Sequence, residues 1–127
     1  MRPTTVDAVI IRGKQVLLVK RKFEPFKGMW VVPGGFVEEG ETVEAAARRE
    51  ALEETGVKVK LVKLVGVYSD PRRDPRGTIS AAFVAKPLSK KLKGDIEVEE
   101  VKWFDLDKLP AMGFDHGKMI EDARRIL

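Results

Sequence analysis

The chain has 127 residues, 43% of them hydrophobic and 35% charged, with 24 Lys and Arg against 20 Asp and Glu, one His and no Cys. That length suits one domain spanning 1–127 with a proper core, while the composition excludes a disulfide framework, a thiol nucleophile, a thiolate metal site and, through the lone His116, a multi-histidine zinc site. No apolar run approaches the length of a membrane span and Met1–Thr5 lacks a signal-peptide core, so a cytoplasmic chain without a membrane partner is expected.

In chain order, Val6–Ile11 is a β-branched run and predicts a buried strand. Arg12-Gly13-Lys14 predicts a turn and Gln15–Arg21 a second strand, together a hairpin. Arg21, with Lys20 and Lys22, ends that strand, either as a solvated strand end or facing a phosphate-bearing site. Phe23–Gly28 predicts a loop. Trp30-Val31-Val32 predicts a short strand stopped by Pro33-Gly34-Gly35, with Trp30 and Phe36 as core aromatics or a stacking surface for a nucleobase. Thr42–Gly56 predicts a helix, with Thr42 as N-cap, Glu44 at the positive N-terminus and Gly56 as the left-handed stop. Val57–Tyr68 predicts a strand. Ser69–Gly77 is a loop dense in proline, aspartate and arginine. Thr78–Ala85 predicts a strand, Pro87–Gly94 a basic loop, Asp95–Glu100 an acidic loop and Val101–Phe104 a short strand. Asp105–Pro110 predicts a turn of helix, and Asp115–Leu127 a helix with Asp115 as N-cap and an apolar stripe of Met119, Ile120, Ala123 and Leu127. No internal repeat or low-complexity linker interrupts the chain. This order predicts an α+β fold, with helices on both sides of a mixed sheet.

The net charge of +4 suits either nucleic acid or a small polyphosphate. No nucleic-acid recognition module is present, which favours the small molecule. The acids of the central helix carry more information. At about 100° per residue, Glu50, Glu53 and Glu54 fall on one stripe. Glu50 and Glu54 are like charges at i,i+4, and Arg49 and Glu53 pair in the less favourable order. Such a stripe is either a solvated face or a site for a hard divalent cation, which takes oxygen ligands. Gly35, having no Cβ, allows a backbone carbonyl to approach such an ion.

The stretch resembles the Nudix box: Gly, five residues, Glu, seven residues, then Arg-Glu-apolar-any-Glu-Glu-any-Gly-apolar. Here it is Gly35, Glu41, Arg49, Glu50, Ala51, Leu52, Glu53, Glu54, Thr55, Gly56 and Val57. Every fixed position matches, and Ala51 is small where the family usually has a larger aliphatic residue. The resemblance implies an αβα sandwich with the box as loop-helix-loop. It also implies hydrolysis of a nucleoside diphosphate linked to another moiety, with Mg²⁺ or Mn²⁺. By the same resemblance the Gly35 carbonyl, Glu50 and Glu54 bind metal, Glu53 binds a further cation or water, Arg49 orients a glutamate and Glu41 supports the helix. The general base is left open among Glu53, Glu97 and Glu100.

Beyond the box, Pro71 lies fourteen residues past Val57. A proline in that region, with the run Ser69–Gly77, resembles ADP-ribose pyrophosphatases, although Gly77 is followed by Thr78 where those often continue Gly-His. ADP-ribose is therefore the expected small-molecule substrate, with Pro71, Arg73 and Arg76 in its subsite. A (deoxy)nucleoside triphosphate pyrophosphohydrolase is the alternative. A non-catalytic nucleotide sensor would lack a box glutamate, and all are present. Many relatives are dimers, and a homodimer is expected.

Overall fold

The β-branched run near the N-terminus is the spine of the sheet in the computed structural model, which describes residues 1–127. It forms β1 (Thr4–Arg12) and is followed by β2 (Gln15–Arg21), β3 (Trp30–Val31), β4 (Gly34–Phe36), α1 (Val43–Thr55), β5 (Val59–Tyr68), β6 (Ile79–Pro87), β7 (Val98–Asp105) and α2 (His116–Arg125). Strand β1 runs parallel to β6 from Thr4↔Ile79 to Ile10↔Ala85. Its other edge pairs antiparallel with β4, Val6 opposite Gly35 and Asp7 opposite Gly34. Only its far end pairs with β2, at Ile11↔Val16 and Arg12↔Gln15. Strand β2 then carries β7 and β3, and β5 flanks β6. One parallel pair among antiparallel ones makes the sheet mixed.

Alternation along β1 sorts its side chains between two layers. Ala8 and Ile10 pack with Leu17, Ala51, Val57, Val59 and Ala85 under α1, and Val6 joins Ala46, Ala47, Ala81 and Phe83 there. Val9 points the other way, into a cluster with Val16, Leu18, Val32, Ala82 and Val84 that the α2 residues Met119, Ile120 and Ala123 complete. The result is the expected α+β sandwich, with one helix on each face. Asp7, of the same parity as Val9, falls on the α2 side.

Helix α1 starts where expected. Thr42 Oγ1 accepts from the Ala45 N–H at 3.0 Å, and Gly56 ends the helix at φ 77°. Its small residues Ala46, Ala47 and Ala51 are wholly buried, so the helix lies close to the sheet. Ala51 packs there against its neighbours in that cluster with no exposed surface.

Several boundaries differ from the sequence expectations. Gly34–Phe36 is a strand, because β1 offers it an edge. Strand β7 begins at Val98, so Glu100 lies within a strand opposite Lys20 and not in a loop. Residues 106–110 form a turn without helix. Helix α2 ends at Arg125, and Leu127 is exposed beyond it. Asp115 occupies the N-cap position of α2 without capping it, because its carboxylate is engaged elsewhere.

Candidate active site

The box helix turns its acidic stripe towards a cavity of about 410 Å³. The wall opposite is built from the ends of β1 and β2, the arginine loop and the start of α2. Among the lining residues three arginines, Arg21, Arg73 and Arg76, stand against seven carboxylates, those of Asp7, Glu24, Glu38, Glu50, Glu54, Asp74 and Glu97. The overall positive charge is therefore not gathered in this pocket. Lysines 58, 60, 63, 86, 90, 91 and 93, just before and on β5, at the end of β6 and in the loop after it, carry much of it, and none is in an ion pair.

Glu50 and Glu54 are both buried, and they are the only glutamates that are. Burial pushes the Glu50 carboxyl up to about 7, against the pull of the Arg49 guanidinium. Burial also pushes Glu54 well above the usual carboxylate range, with Glu50 raising it further and a hydrogen bond from Gly34 N–H opposing both. That bond, to Oε1, is 3.0 Å long. Gly35 faces Glu50 so closely that a Cβ there would lie 2.5–2.7 Å from the carboxylate. Two buried carboxylates beside an open backbone form a donor set that suits a hard divalent cation. No three His, Asp or Glu side chains form a closed cage, so carbonyl and water oxygens would complete the coordination, as Mg²⁺ commonly requires.

Arg49 stands behind this pair and outside the cavity lining. Its guanidinium donates to both Glu41 oxygens at 2.7 and 2.9 Å, to Glu50 Oε1 at 2.7 Å, to Glu53 Oε2 at 3.2 Å and to the Phe36 carbonyl at 3.1 Å. The Arg49–Glu53 bond forms despite its unfavourable order along the helix, since one guanidinium serves all three glutamates. Glu53 is half exposed and does not line the cavity.

Of the three candidate bases, the structure brings only Glu97 to the cavity. Glu100 is on the exposed side of β7. Trp30 is not brought there either. Its ring packs edge-on against Phe104, with centroids 4.7 Å apart, and it borders the α2-side core. Pro71 is exposed at the loop tip, outside the cavity. Phe36 is at the rim, its ring half exposed, with the Arg76 guanidinium 5.0 Å over it.

The arginines divide sharply. Arg73 reaches the wall but its side chain is buried, with both Nε and Nη2 on Asp115 at 2.9 Å and Nη1 on Thr78 Oγ1 at 2.6 Å. This bidentate pair is what draws Asp115 away from the helix cap. Arg76 pairs with Asp74 through Nε and Nη2 and leaves Nη1 without a protein partner. Arg21 bonds only the Pro25 carbonyl, through Nε. Burial and the nearby Arg76 charge hold the Arg21 pKa below its usual value. Both lie near the Phe114 ring, Arg21 at 5.2 Å and Arg76 at 5.7 Å.

Sequence reasoning did not single out Asp7, Glu38, Asp74, Thr78 or Phe114 as pocket residues, and it used His116 only to exclude zinc. Asp7 had a readable signal, an acid in the middle of a buried apolar strand. The others come from loops whose folding the sequence does not announce.

Residues 1–123 match the profile of the NUDIX domain. The chain belongs to the Nudix family. The ADP-ribose pyrophosphatase of Methanocaldococcus jannaschii is 50% identical to this Nudix chain over 121 residues, covering 94% of the chain and 72% of that protein. The ADPR responsive transcriptional repressor NtrR of Acinetobacter baylyi is 32% identical, and the chain spans about half of it, 52%. Among solved structures, the NUDIX domain of Shewanella oneidensis NrtR complexed with ADP ribose superposes with a TM-score of 0.88 at 32% identity, over 99% of this chain and 88% of that one. The MutT/nudix family protein from Enterococcus faecalis does so with a TM-score of 0.89 at 30% identity, over 99% and 62%.

Proposed function

We propose that residues 1–127 form one Nudix hydrolase domain that converts ADP-ribose and water to AMP and ribose 5-phosphate, with Mg²⁺ or Mn²⁺ as cofactor. The observation that carries this reading is the opposition within one cavity of Glu50, Glu54 and Glu97 to the partly free guanidinium groups of Arg21 and Arg76. The choice of ADP-ribose is supported by the 50% identity to the M. jannaschii pyrophosphatase and by the likeness to a domain bound to ADP ribose.

The Gly35 carbonyl, Glu50 and Glu54 would hold the cation, and Glu53, outside the cavity lining, would bind a further cation or water. When bound, the cation neutralises phosphate oxygens and lowers the pKa of water. Arg49 keeps Glu50 turned towards Gly35 by its bond to Oε1. Gly34 N–H does the same for Glu54. Arg21 and Arg76 bind the diphosphate and take up charge that develops as the bridging oxygen departs. Glu97 accepts the proton of the attacking water, whose oxygen joins one phosphorus while the bridging oxygen leaves on the other. Phe36 supplies an apolar rim for the adenine or ribose. Arg73 has no free donor end and acts on the pocket by holding its wall.

A cytoplasmic location and a homodimer belong to the same reading. The first is supported by the cysteine-free composition, and no helix is long and apolar enough to cross a membrane. The second is supported by β5, an edge strand with Val62, Leu64 and Val67 exposed. The direct test incubates the protein with Mg²⁺ and ADP-ribose, nucleotide sugars, dinucleoside polyphosphates or dNTPs and quantifies products. AMP and ribose 5-phosphate at the highest kcat/KM are expected from ADP-ribose. Preference for a dNTP would overturn the substrate assignment.

A further inference from the structure

His116 is the chain's only histidine, it is 3% exposed, and none of the chemistry above uses it. Its two ring nitrogens have different partners. Nδ1 accepts from the backbone N–H of Val32 at 3.1 Å. A backbone N–H can only donate, so this nitrogen carries no proton and the neutral ring is protonated at Nε2. Nε2 lies 3.3 Å from Asp7 Oδ1. The other oxygen of Asp7 accepts from Ser80 Oγ and is 4.0 Å from Arg73 Nη2. No buried polar side-chain atom in the molecule lacks a hydrogen-bond partner.

Both partners of His116 lead to the box loop. Val32 precedes Pro33, Gly34 and Gly35 directly. Asp7 is opposite Gly34 in the β1–β4 register, and Gly34 is so close that a Cβ would overlap the Asp7 carboxylate and the Val6 carbonyl. Gly34 in turn donates to Glu54, and Gly35 abuts Glu50. On its other side His116 continues from Asp115, which grips Arg73, and its ring stacks at 5.0 Å on Phe114. The start of α2 thus holds the loop that faces the two buried glutamates directly at Val32 N–H and indirectly through the Asp7 carboxylate of β1, which lies against Gly34.

We propose that His116, as the neutral Nε2-protonated imidazole, is a positioning residue that sets the Gly34–Gly35 loop against Glu50 and Glu54. It lines the cavity, but both of its ring nitrogens are turned to protein partners. Its acceptor holds the Val32 amide between β3 and β4 and its donor faces the β1 carboxylate that borders Gly34, and an apolar side chain would leave a buried amide and a buried carboxylate without that partner. The inference rests on the reading of that loop and those glutamates as the metal-binding centre.

Because there is one histidine, its tautomer can be read without ambiguity from the ¹⁵N spectrum of protein labelled at histidine. The expected pattern at neutral pH is a single neutral ring with the proton on Nε2. A ring protonated on Nδ1, or on both nitrogens, would overturn the proposal. In His116→Leu, the Val32 amide is expected to lose its protection from hydrogen exchange. Mn²⁺ affinity, measured by electron paramagnetic resonance, and kcat/KM on ADP-ribose are expected to fall at least about tenfold. His116→Asn keeps an acceptor at the δ position and is expected to recover Val32 protection and most of the Mn²⁺ affinity. Equal Mn²⁺ affinity in His116→Leu and the parent would overturn the proposal, as would an Asn variant no better than Leu. If the parent bound no Mn²⁺ and cleaved no diphosphate, the functional reading would fail, and with it the role assigned to His116. The tautomer and Val32 exchange would still report whether the two contacts exist.

Discussion

At the residue scale, the arginine loop separates two roles that its sequence presents alike. Arg73 and Arg76 are three residues apart on the same loop, and each is bidentate to an aspartate. The difference is exposure: 3% for the Arg73 side chain and 37% for that of Arg76. Removing Arg73 leaves Asp115 and Asp7 facing a buried gap, so Arg73→Ala is expected to destabilise the fold by roughly 3 kcal/mol in urea unfolding. Arg76→Ala is expected to leave stability within about 1 kcal/mol and lower kcat/KM on ADP-ribose about ten- to a hundredfold. An Arg73→Ala variant as stable as the parent would contradict the first assignment, and unchanged kinetics for Arg76→Ala the second. Glu54→Gln keeps shape and the acceptor for Gly34 N–H but removes the charge. It is expected to lower kcat by about a hundredfold or more at saturating Mg²⁺ with unchanged circular dichroism. Full activity would rule Glu54 out as a ligand.

At the element scale, the box helix depends on two glycines for different reasons. Gly56 is left-handed, and a Cβ there would also meet the Lys93 nitrogen at 2.8 Å. The basic loop crosses the helix end at this point, with Lys93 N–H bonded to the Thr55 carbonyl at 2.8 Å, before Glu97 reaches the cavity. Gly56→Ala therefore combines backbone strain with a steric clash and is expected to cost about 1–3 kcal/mol in thermal unfolding. Gly35 has an ordinary φ, and its constraint is the nearby carboxylate of Glu50. Gly35→Ala is expected to displace that side chain, giving a large loss of kcat beside a smaller loss of stability than Gly56→Ala. The reverse ranking in a paired melting and kinetic measurement would show that Gly35 serves the backbone and not the site.

At the scale of the whole molecule, the buried glutamates tie stability to pH and to metal. Glu50 ionises near 4.5 when unfolded and near 7 in the fold. Between those values the native chain keeps a proton that the unfolded chain has released. This contribution is therefore complete below about pH 4.5 and declines as pH rises through about 7. Glu54 is shifted in the same direction and adds to it. Glu41, Asp70 and Asp74 are held below their usual range by their arginine partners and Asp74 also by Thr78, so their contribution is lost only in stronger acid. In EDTA, the melting temperature is expected to decline from about pH 5 to 8, and Mg²⁺ or Mn²⁺ should reverse that decline, because a cation favours the ionised carboxylates. Activity should vanish in EDTA and return with either ion. A metal-free melting temperature that is flat or rises across this range would contradict the burial of charge at Glu50 and Glu54.

Local rules in the sequence determined the strand spine, the box helix with both its caps and the layer order, because alternation, cap chemistry and left-handed glycine act over a few residues. The acidic stripe was legible for the same reason: helical periodicity alone puts Glu50, Glu53 and Glu54 together. Which of those acids are buried was decided by packing. Glu50 and Glu54 face β4 and the cavity, while Glu53, one residue away, is half exposed beside Arg49. Likewise, nothing local distinguishes Arg73 from Arg76, Trp30 from Phe36 or Glu97 from Glu100. Each pair is separated by a contact made across the fold: Asp115 at the N-cap of α2, Phe104 from β7, and the crossing of the loop after β6. Asp7 and His116 are 109 positions apart and meet only when α2 docks on the sheet. Long-range pairing of this kind has no periodic or turn signal, so the polar floor of the site is a product of tertiary structure.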